Sequence, residues 1–261
     1  SEKGTPVVFE AATIENPGSA FDSNSNKVVI AYRDAGNSGY GTAIIGTVNA
    51  SDNSISFGSP VVFASASIEK LNDDGVVFDS NSNKVVICYE DSANSQHGTA
   101  IVGTVSGTSI SFGSAVVFEA AQTDNIAATF DSNSNKVVVC YRDQADSENG
   151  TARVGTISGT DISFGAVSVF NSGDTINISP CFDSLNNKVV IAYSDNANSN
   201  KNTAIVGTVS GTDISFGSEV VFDASTGSKP SGLTSTFDTS VNKVLIAYTD
   251  VANGNYGTAI V

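Results

Sequence analysis

Five copies of one phrase organise this chain: Phe-Asp, a short polar stretch, Asn-Lys, an apolar run ending in Tyr, one residue, then Asp. The copies are anchored at Phe21, Phe78, Phe130, Phe182 and Phe237, at spacings of 57, 52, 52 and 55 residues. Self-similarity at this period marks a repeat architecture, because one such unit cannot bury its own apolar faces and must stack on a neighbour. The period limits the fold before any single motif is weighed.

Each repeat reads as β-structure. In the third, Val137-Val138-Val139-Cys140-Tyr141 is rich in β-branched residues and is bounded by Asn135-Lys136 and by Asp143, which predicts a strand. A polar loop (144–150) leads to a second apolar run (151–157), then Ser158-Gly159, then a third run (161–170). The Ser-Gly pair predicts a tight hairpin, since Gly adopts positive φ without a steric penalty. With the short segment ending at Phe130 placed first, each repeat yields four antiparallel strands, A to D. No stretch carries apolar residues at helical spacing long enough for a helix.

Four such strands per repeat predict an all-β fold, a five-bladed β-propeller forming a single domain over residues 1–261. Strand B supports this, with Val28, Ile30 and Tyr32 on one face and Val29 beside Ala31 on the other, where sister copies carry Cys88, Cys140, Ala192 or Ala247. A strand apolar on both faces must be covered on both. Gly46, Gly103, Gly155 and Gly207 recur inside strand C, where a bulge or a close backbone approach is expected. The fifth copy runs only partway through its strand C, while Gly4-Thr5-Pro6-Val7-Val8-Phe9 matches Gly58-Ser59-Pro60-Val61-Val62-Phe63. The N-terminal strand is therefore expected to pair with Ala259-Ile260-Val261, completing the last blade and closing the ring.

Lys and Arg number 12 against 27 Asp and Glu, a formal charge of -15 that repels nucleic acid and anionic membranes. Neither nucleic-acid binding nor membrane insertion is expected. Cys88 and Cys140 stand where sister copies carry Ala and read as small buried side chains, not as a disulfide framework. Met is absent, including at position 1, so the sequence reads as a processed product or a piece of something longer.

Two loop motifs carry polar chemistry. Asp22-Ser23-Asn24-Ser25-Asn26 has the look of a calcium loop, but sister copies place Leu185 and Ser240 at its third position, its sixth is Lys27 and its ninth is Ile30. What persists is the Asp and the Asn-Lys pair, which predicts an Asp-capped hairpin with a left-handed Asn, and no metal or cofactor. The second motif joins strands B and C. Its candidate ligand-binding residues are Asp34, Asn37 and Tyr40; Asp91, Asn94 and His97; Asp143, Asp146 and Asn149; Asp195, Asn198 and Lys201; and Asp250, Asn253 and Tyr256. Carboxylates and amides suit sugar hydroxyls or a cation, and equally suit a turn held together by its own side chains.

Catalysis has little to build on. His97 is the only histidine, so His-based triads and metal sites cannot be assembled, and no catalytic residue is assigned. A glycosidase would need converging carboxylates, for which Glu15, Glu69, Asp73, Asp74, Asp124 and Asp174 in the inter-blade connections are the candidates.

The runs Phe-Asp-Ser-Asn-Ser-Asn-Lys-Val-Val at 78–86 and Gly-Thr-Ala-Ile-Val-Gly-Thr-Val-Ser-Gly-Thr-Ser-Ile-Ser-Phe-Gly at 98–113 resemble repeats of marine phage and marine microbial proteins. That resemblance covers nearly all of the chain and implies an extracellular or virion-surface location. Five blades are also similar in architecture to tachylectin-like lectins, which bind amino sugars in repeated pockets, although the Trp-rich blade pattern of that family is absent here. The reading is a non-enzymatic binding or adhesion module, with lectin-like recognition of a glycan or surface receptor on a virion or cell surface. The alternatives are a structural spacer or decoration domain of a larger assembly and, third, a glycosidase-type propeller enzyme. Oligomeric state is not legible.

Overall fold

The structure, a computed structural model, describes residues 4–224 and 232–261, and of Asp73 the backbone alone. The chain packs as two compact units, residues 1–120 with 157–162, and residues 121–156 with 163–261. Both are built of antiparallel sheets.

The first repeat contains β1 (Ile14–Asp22), β2 (Lys27–Asp34), β3 (Tyr40–Asn49), β4 (Ser54–Phe57) and β5 (Val61–Ser67). The second contains β6 (Val76–Asp79), β7 (Lys84–Asp91), β8 (His97–Ser106), β9 (Ser109–Phe112) and the start of β10 (Val116–Asp131). The rest of β10 opens the third repeat, followed by β11 (Lys136–Asp143), β12 (Asn149–Ser158), β13 (Asp161–Phe164) and β14 (Ser168–Asn171). The fourth contains β15 (Thr175–Asp183), β16 (Lys188–Asp195), β17 (Lys201–Ser210), β18 (Asp213–Phe216) and β19 (Val220–Asp223), and the fifth β20 (Leu233–Asp238), β21 (Lys243–Asp250) and β22 (Tyr256–Ile260).

Strand D is one strand in sequence and two in structure. β4 pairs with the far half of β3, Gly46↔Phe57 to Asn49↔Ser54, while β5 pairs with its near half, Thr42↔Val62 and Ala43↔Val61. The break falls at Gly58-Ser59-Pro60, where a Cβ on Gly58 would overlap the carbonyl oxygen of Thr108 in the next repeat's C–D turn. Gly113 meets Thr160 and Gly165 meets Thr212 in the same way. The glycines of strand C have a related role, though with side chains as partners. A Cβ on Gly103 or Gly207 would lie 2.6 or 2.7 Å from the Ile110 or Ile214 side chain, with the Phe112 or Phe216 ring close behind. The register of β2 on β3 runs unbroken to Gly46, so a packed ring replaces the expected bulge or backbone approach. Bulges occur instead in strand A, where register shifts follow Glu15, Asp124 and Ile176 and Asn16, Asn125 and Asn177 take φ of 49°, 49° and 52°.

Strand B forms the core of each unit. Val29, Ala31, Val85, Ile87 and Tyr89 pack with Ile45 and Phe63 in the first unit, and Val138, Cys140, Ile191 and Tyr193 pack with Phe170 in the second. Burial pushes the Cys88 thiol up to about 12, so it stays a neutral small filler. β21 differs, being only partly covered along most of its length. The fifth sheet has three strands in the order β20-β21-β22, and residues 4–9 belong to no strand. The expected pairing of Val7-Val8-Phe9 with Ala259-Ile260-Val261 is therefore corrected: the sequence match is present, but the ladder is not formed.

The A–B hairpins are held by their first Asp. Asp79 Oδ1 accepts from the Asn81 and Ser82 backbone N–H groups at 2.8 and 3.1 Å, and its Oδ2 accepts from the Ser82 hydroxyl at 2.6 Å. Asp22 and Asp131 repeat the pattern, and Asn26, Asn83, Asn135, Asn187 and Asn242 all sit at φ between 54° and 57°. Asp79→Ala is expected to lower the unfolding free energy by about 1–2 kcal/mol, read from urea denaturation. In the fifth hairpin the Ser240 hydroxyl, then its backbone N–H, hold the Asp238 carboxyl below the usual range. A depressed folded-state value stabilises above the unfolded pKa and is lost as pH falls through the folded one.

Candidate functional site

The B–C loops close on themselves through one carboxylate each. Asp34 Oδ1 accepts from Asn37 N at 3.0 Å, capping the single 3-10 turn Ala35–Asn37. Asp91 accepts from Ala93 N at 3.1 Å at the start of the turn Ser92–Asn94. Asp143 accepts from Ala145 N and Asp146 N at 3.0 and 3.2 Å, Asp195 from Asn198 N at 3.0 Å, and Asp250 from Asn253 N at 3.1 Å. Tyr40, His97, Asn149, Lys201 and Tyr256 each open strand C directly opposite the capping Asp. Asn37, Asn94, Asp146 and Asn253 are exposed, whereas Asn198 is half-buried and accepts from Lys201 Nζ at 3.0 Å. The recurring Asp and Asn thus first make a turn, and only the fourth loop adds a wall to the concavity described next.

That concavity is an open cleft of about 530 Å³ lined by Phe170, Asn171, Ser172, Asp195, Ala197, Asn198, Ile205, Gly217 and Glu219. β14 supplies Phe170 and Asn171, the end of β16 and the B–C loop supply Asp195, Ala197 and Asn198, and Gly217 and Glu219 come from the break between β18 and β19. Its rim is tied down. Asn171 Nδ2 donates to Thr175 Oγ1 at 2.9 Å, whose hydroxyl donates to Gly173 O at 2.8 Å. Asn196 donates through its backbone N–H and its amide to Asp174 O and Oδ2, both at 2.9 Å, pinning the connection to the loop. Glu219 is oriented by Tyr193, whose hydroxyl donates to Oε2 at 3.1 Å. Burial, reinforced by the Glu219 charge, raises the Tyr193 pKa well above its ordinary value, so this phenol remains a donor at any working pH. Amide, hydroxyl and carboxylate side chains thus line the cleft beside the apolar Phe170, Ala197 and Ile205.

Of the fifteen expected ligand-binding residues, only Asp195 and Asn198 line this cleft. Phe170, Asn171, Ser172 and Glu219 were not among them. Glu219 had a signal, because sister copies carry Pro60, Ala115 and Val167 there. The carboxylates proposed for a glycosidase go elsewhere. Arg142 NH2 binds Glu148 Oε1 at 2.6 Å and Asp174 Oδ1 at 2.8 Å, its NH1 lies 3.9 Å from Asp124 Oδ2, and Glu15 pairs with Arg33 at 2.6 Å. Glu69 is exposed, Asp74 is half-buried in a one-turn 3-10 segment, and the Asp73 side chain lies outside the described residues.

No protein-family model and no curated protein matches the sequence. Solved structures do match. Over 94% of its length the chain is similar to a mutant of AofleA from Arthrobotrys oligospora, at a TM-score of 0.56 and 10% identity. Over 94% it is also similar to an exo-β-1,3-galactanase from Phanerochaete chrysosporium solved with β-1,3-galactotriose, at a TM-score of 0.53 and 9% identity. The chain covers 65% and 62% of those two chains. At such identity the likeness concerns the fold. It still corrects the expectation of a non-enzymatic adhesion module on a virion or cell surface, with enzyme ranked last: an enzyme is among the proteins that share this fold.

Proposed function

We propose that the five repeats are blades of a β-propeller, four antiparallel strands each where complete, and that the chain handles carbohydrate in the cleft beside Asp195 and Glu219. The observation that carries this reading is the make-up of the cleft. Asn171, Ser172 and Asn198 offer amide and hydroxyl groups, Asp195 and Glu219 offer acceptors, and Phe170, Ala197 and Ile205 give an apolar floor. A pyranose presents the complementary set, hydroxyls at its edge and C–H groups on its face. The cleft also lies within the size range of small-molecule sites, roughly 300–1,000 Å³. The shared fold with a galactanase supports a saccharide ligand.

A second reading, hydrolysis of a glycosidic bond, is favoured by the pair of carboxylates in one cleft, since glycosidases act through two. Titration with β-1,3-galactotriose and a panel of neutral oligosaccharides tests both. Binding is expected in the submillimolar range, and Asn198→Ala or Glu219→Ala is expected to weaken it at least about tenfold, equivalent to about 1.4 kcal/mol. Hydrolysis predicts release of reducing ends that Glu219→Gln abolishes while binding persists. No saturable binding of any panel member up to about 10 mM, a range that reaches past millimolar Kd, would overturn the carbohydrate assignment.

A further inference from the structure

The side chains that line the cleft spend their contacts unevenly, and what they keep in reserve is acceptor capacity. Asp195 is 4% exposed, and its Oδ1 accepts from the Asn198 backbone N–H at 3.0 Å. Among the described residues its Oδ2 has no hydrogen-bond partner. Glu219 divides its oxygens the same way: Oε2 accepts from the Tyr193 hydroxyl at 3.1 Å, and Oε1 has no partner among the described residues. A carboxylate buried as deeply as Asp195 is costly to leave half satisfied, so Oδ2 calls for a donor on the ligand.

Asn171 adds a third acceptor, and Thr175 decides which way its amide is turned. The one hydroxyl proton of Thr175 goes to Gly173 O at 2.8 Å, so Thr175 Oγ1 can only accept from Asn171, at 2.9 Å. That contact requires Nδ2 on the Thr175 side. The amide oxygen Oδ1 is left with no partner among the described residues.

Charge selects in the same direction. Two carboxylates line the cleft, while Lys201, which touches the lining at Asn198, spends its Nζ on Oδ1 there at 3.0 Å. A sugar carboxylate or sulfate would meet like charge, on a chain whose formal charge is already -15. A hydroxyl offers one neutral donor. An ammonium offers three donors and no acceptor, carries the opposite charge, and makes hydrogen bonds to carboxylates about twice as strong as neutral ones. A metal ion is the other cation that such oxygens attract, but among the described residues no three Asp, Glu, His or Cys side chains gather to hold one.

Building on the carbohydrate reading of this cleft, we infer that it selects a saccharide with a free ammonium group, an amino sugar that is not N-acetylated. Asp195 and Glu219 pair the ammonium, and the Asn198 amide and the Ser172 hydroxyl serve the ring hydroxyls. N-acetylation removes the charge and two of the three donors, and a 2-hydroxyl in place of the amine removes the charge as well.

The full chain is titrated with glucosamine and galactosamine oligosaccharides, each beside its N-acetylated and its 2-hydroxyl counterpart. At about pH 6 the amine is protonated, and at about 0.15 M salt the Debye length is about 8 Å, which screens the charge of the chain at large. In at least one series the amine is expected to bind at least about tenfold more tightly than both counterparts. Glu219→Gln, and Asp195→Asn, which keeps an oxygen to cap the loop, are each expected to bring that ratio to within about threefold. Asp52→Asn, which removes an exposed charge outside the lining, is expected to keep the full ratio. Three results would overturn the inference and leave the carbohydrate reading standing: counterparts that bind as tightly as the amines, a ratio that both cleft variants preserve, or binding that disappears when divalent cations are chelated. No binding of amines, counterparts or neutral oligosaccharides up to about 10 mM would overturn both.

Discussion

Arg142→Ala is expected to lower the unfolding free energy by about 3 kcal/mol, because it removes a cation that three carboxylates share. Glu148 and Asp174 bind the same guanidinium nitrogen at 2.6 and 2.8 Å, and Asp124 approaches from the strand A bulge. The Arg142 side chain is 13% exposed, so water replaces little of the lost pairing, and the chain already carries a formal charge of -15. Thermal unfolding should fall by roughly 6–12 °C for a chain of this size. Adding Glu148→Gln and Asp174→Asn to Arg142→Ala should recover part of the loss, since most of the cost is unpaired like charge. A loss under about 1 kcal/mol would place the cluster with ordinary solvated ion pairs.

The parts of this fold legible in sequence are those fixed by neighbours in the chain. Asp22 through Asn26 encodes its hairpin within five residues: a carboxylate that reaches the N–H groups two and three ahead, then an amide residue that tolerates positive φ. Gly107, Gly159 and Gly211 do the same for the C–D turns, at φ of 64–65°. What escaped has causes distant in sequence. Position 58 requires glycine because a carbonyl 50 residues on occupies the place of a Cβ, and no local pattern carries that information. The unmade N-terminal ladder is the same lesson reversed: residues 4–9 have the right sequence, and sequence likeness reports which partner would fit, not which is engaged.

The candidate site was legible only in its shared half. Asp195 recurs in every repeat and Asn198 in all but the third, which carries Asp146, and recurrence alone cannot separate a ligand from a cap, since both uses select the same short polar side chains. The structure separates them by where the oxygen goes, and each loop Asp spends one on its own turn. The cleft depends on what differs between copies: Glu219 in place of Pro60, Ala115 or Val167, and Asn171-Ser172 where the first and third copies carry Glu10-Ala11 and Glu119-Ala120. Asp124 and Asp174 were visible as connection charges. Their partner was not, because the Arg142 position reads Arg33, Glu90, Ser194 and Thr249 in the other copies.

Gly58→Ala, Gly113→Ala and Gly165→Ala are each expected to cost about 3 kcal/mol, while Gly217→Ala, the same residue in the same turn, is expected to cost nothing. The first three added methyl groups would overlap the carbonyl oxygens of Thr108, Thr160 and Thr212. These are backbone atoms on tight turns, so neither side yields by rotating a side chain, and relief requires one repeat to draw back from the next. Around Gly217 the nearest atom to an added Cβ is the Val206 carbonyl oxygen at 3.8 Å, an ordinary contact. There the loss of glycine's unfolded-state freedom should leave stability unchanged or raise it by about 0.4–1 kcal/mol. Intrinsic strand propensity would move all four variants together, and only contact between successive repeats separates them. Urea denaturation of the four variants decides between these causes, and equal shifts at all four positions would refute the inter-repeat origin of the glycine requirement.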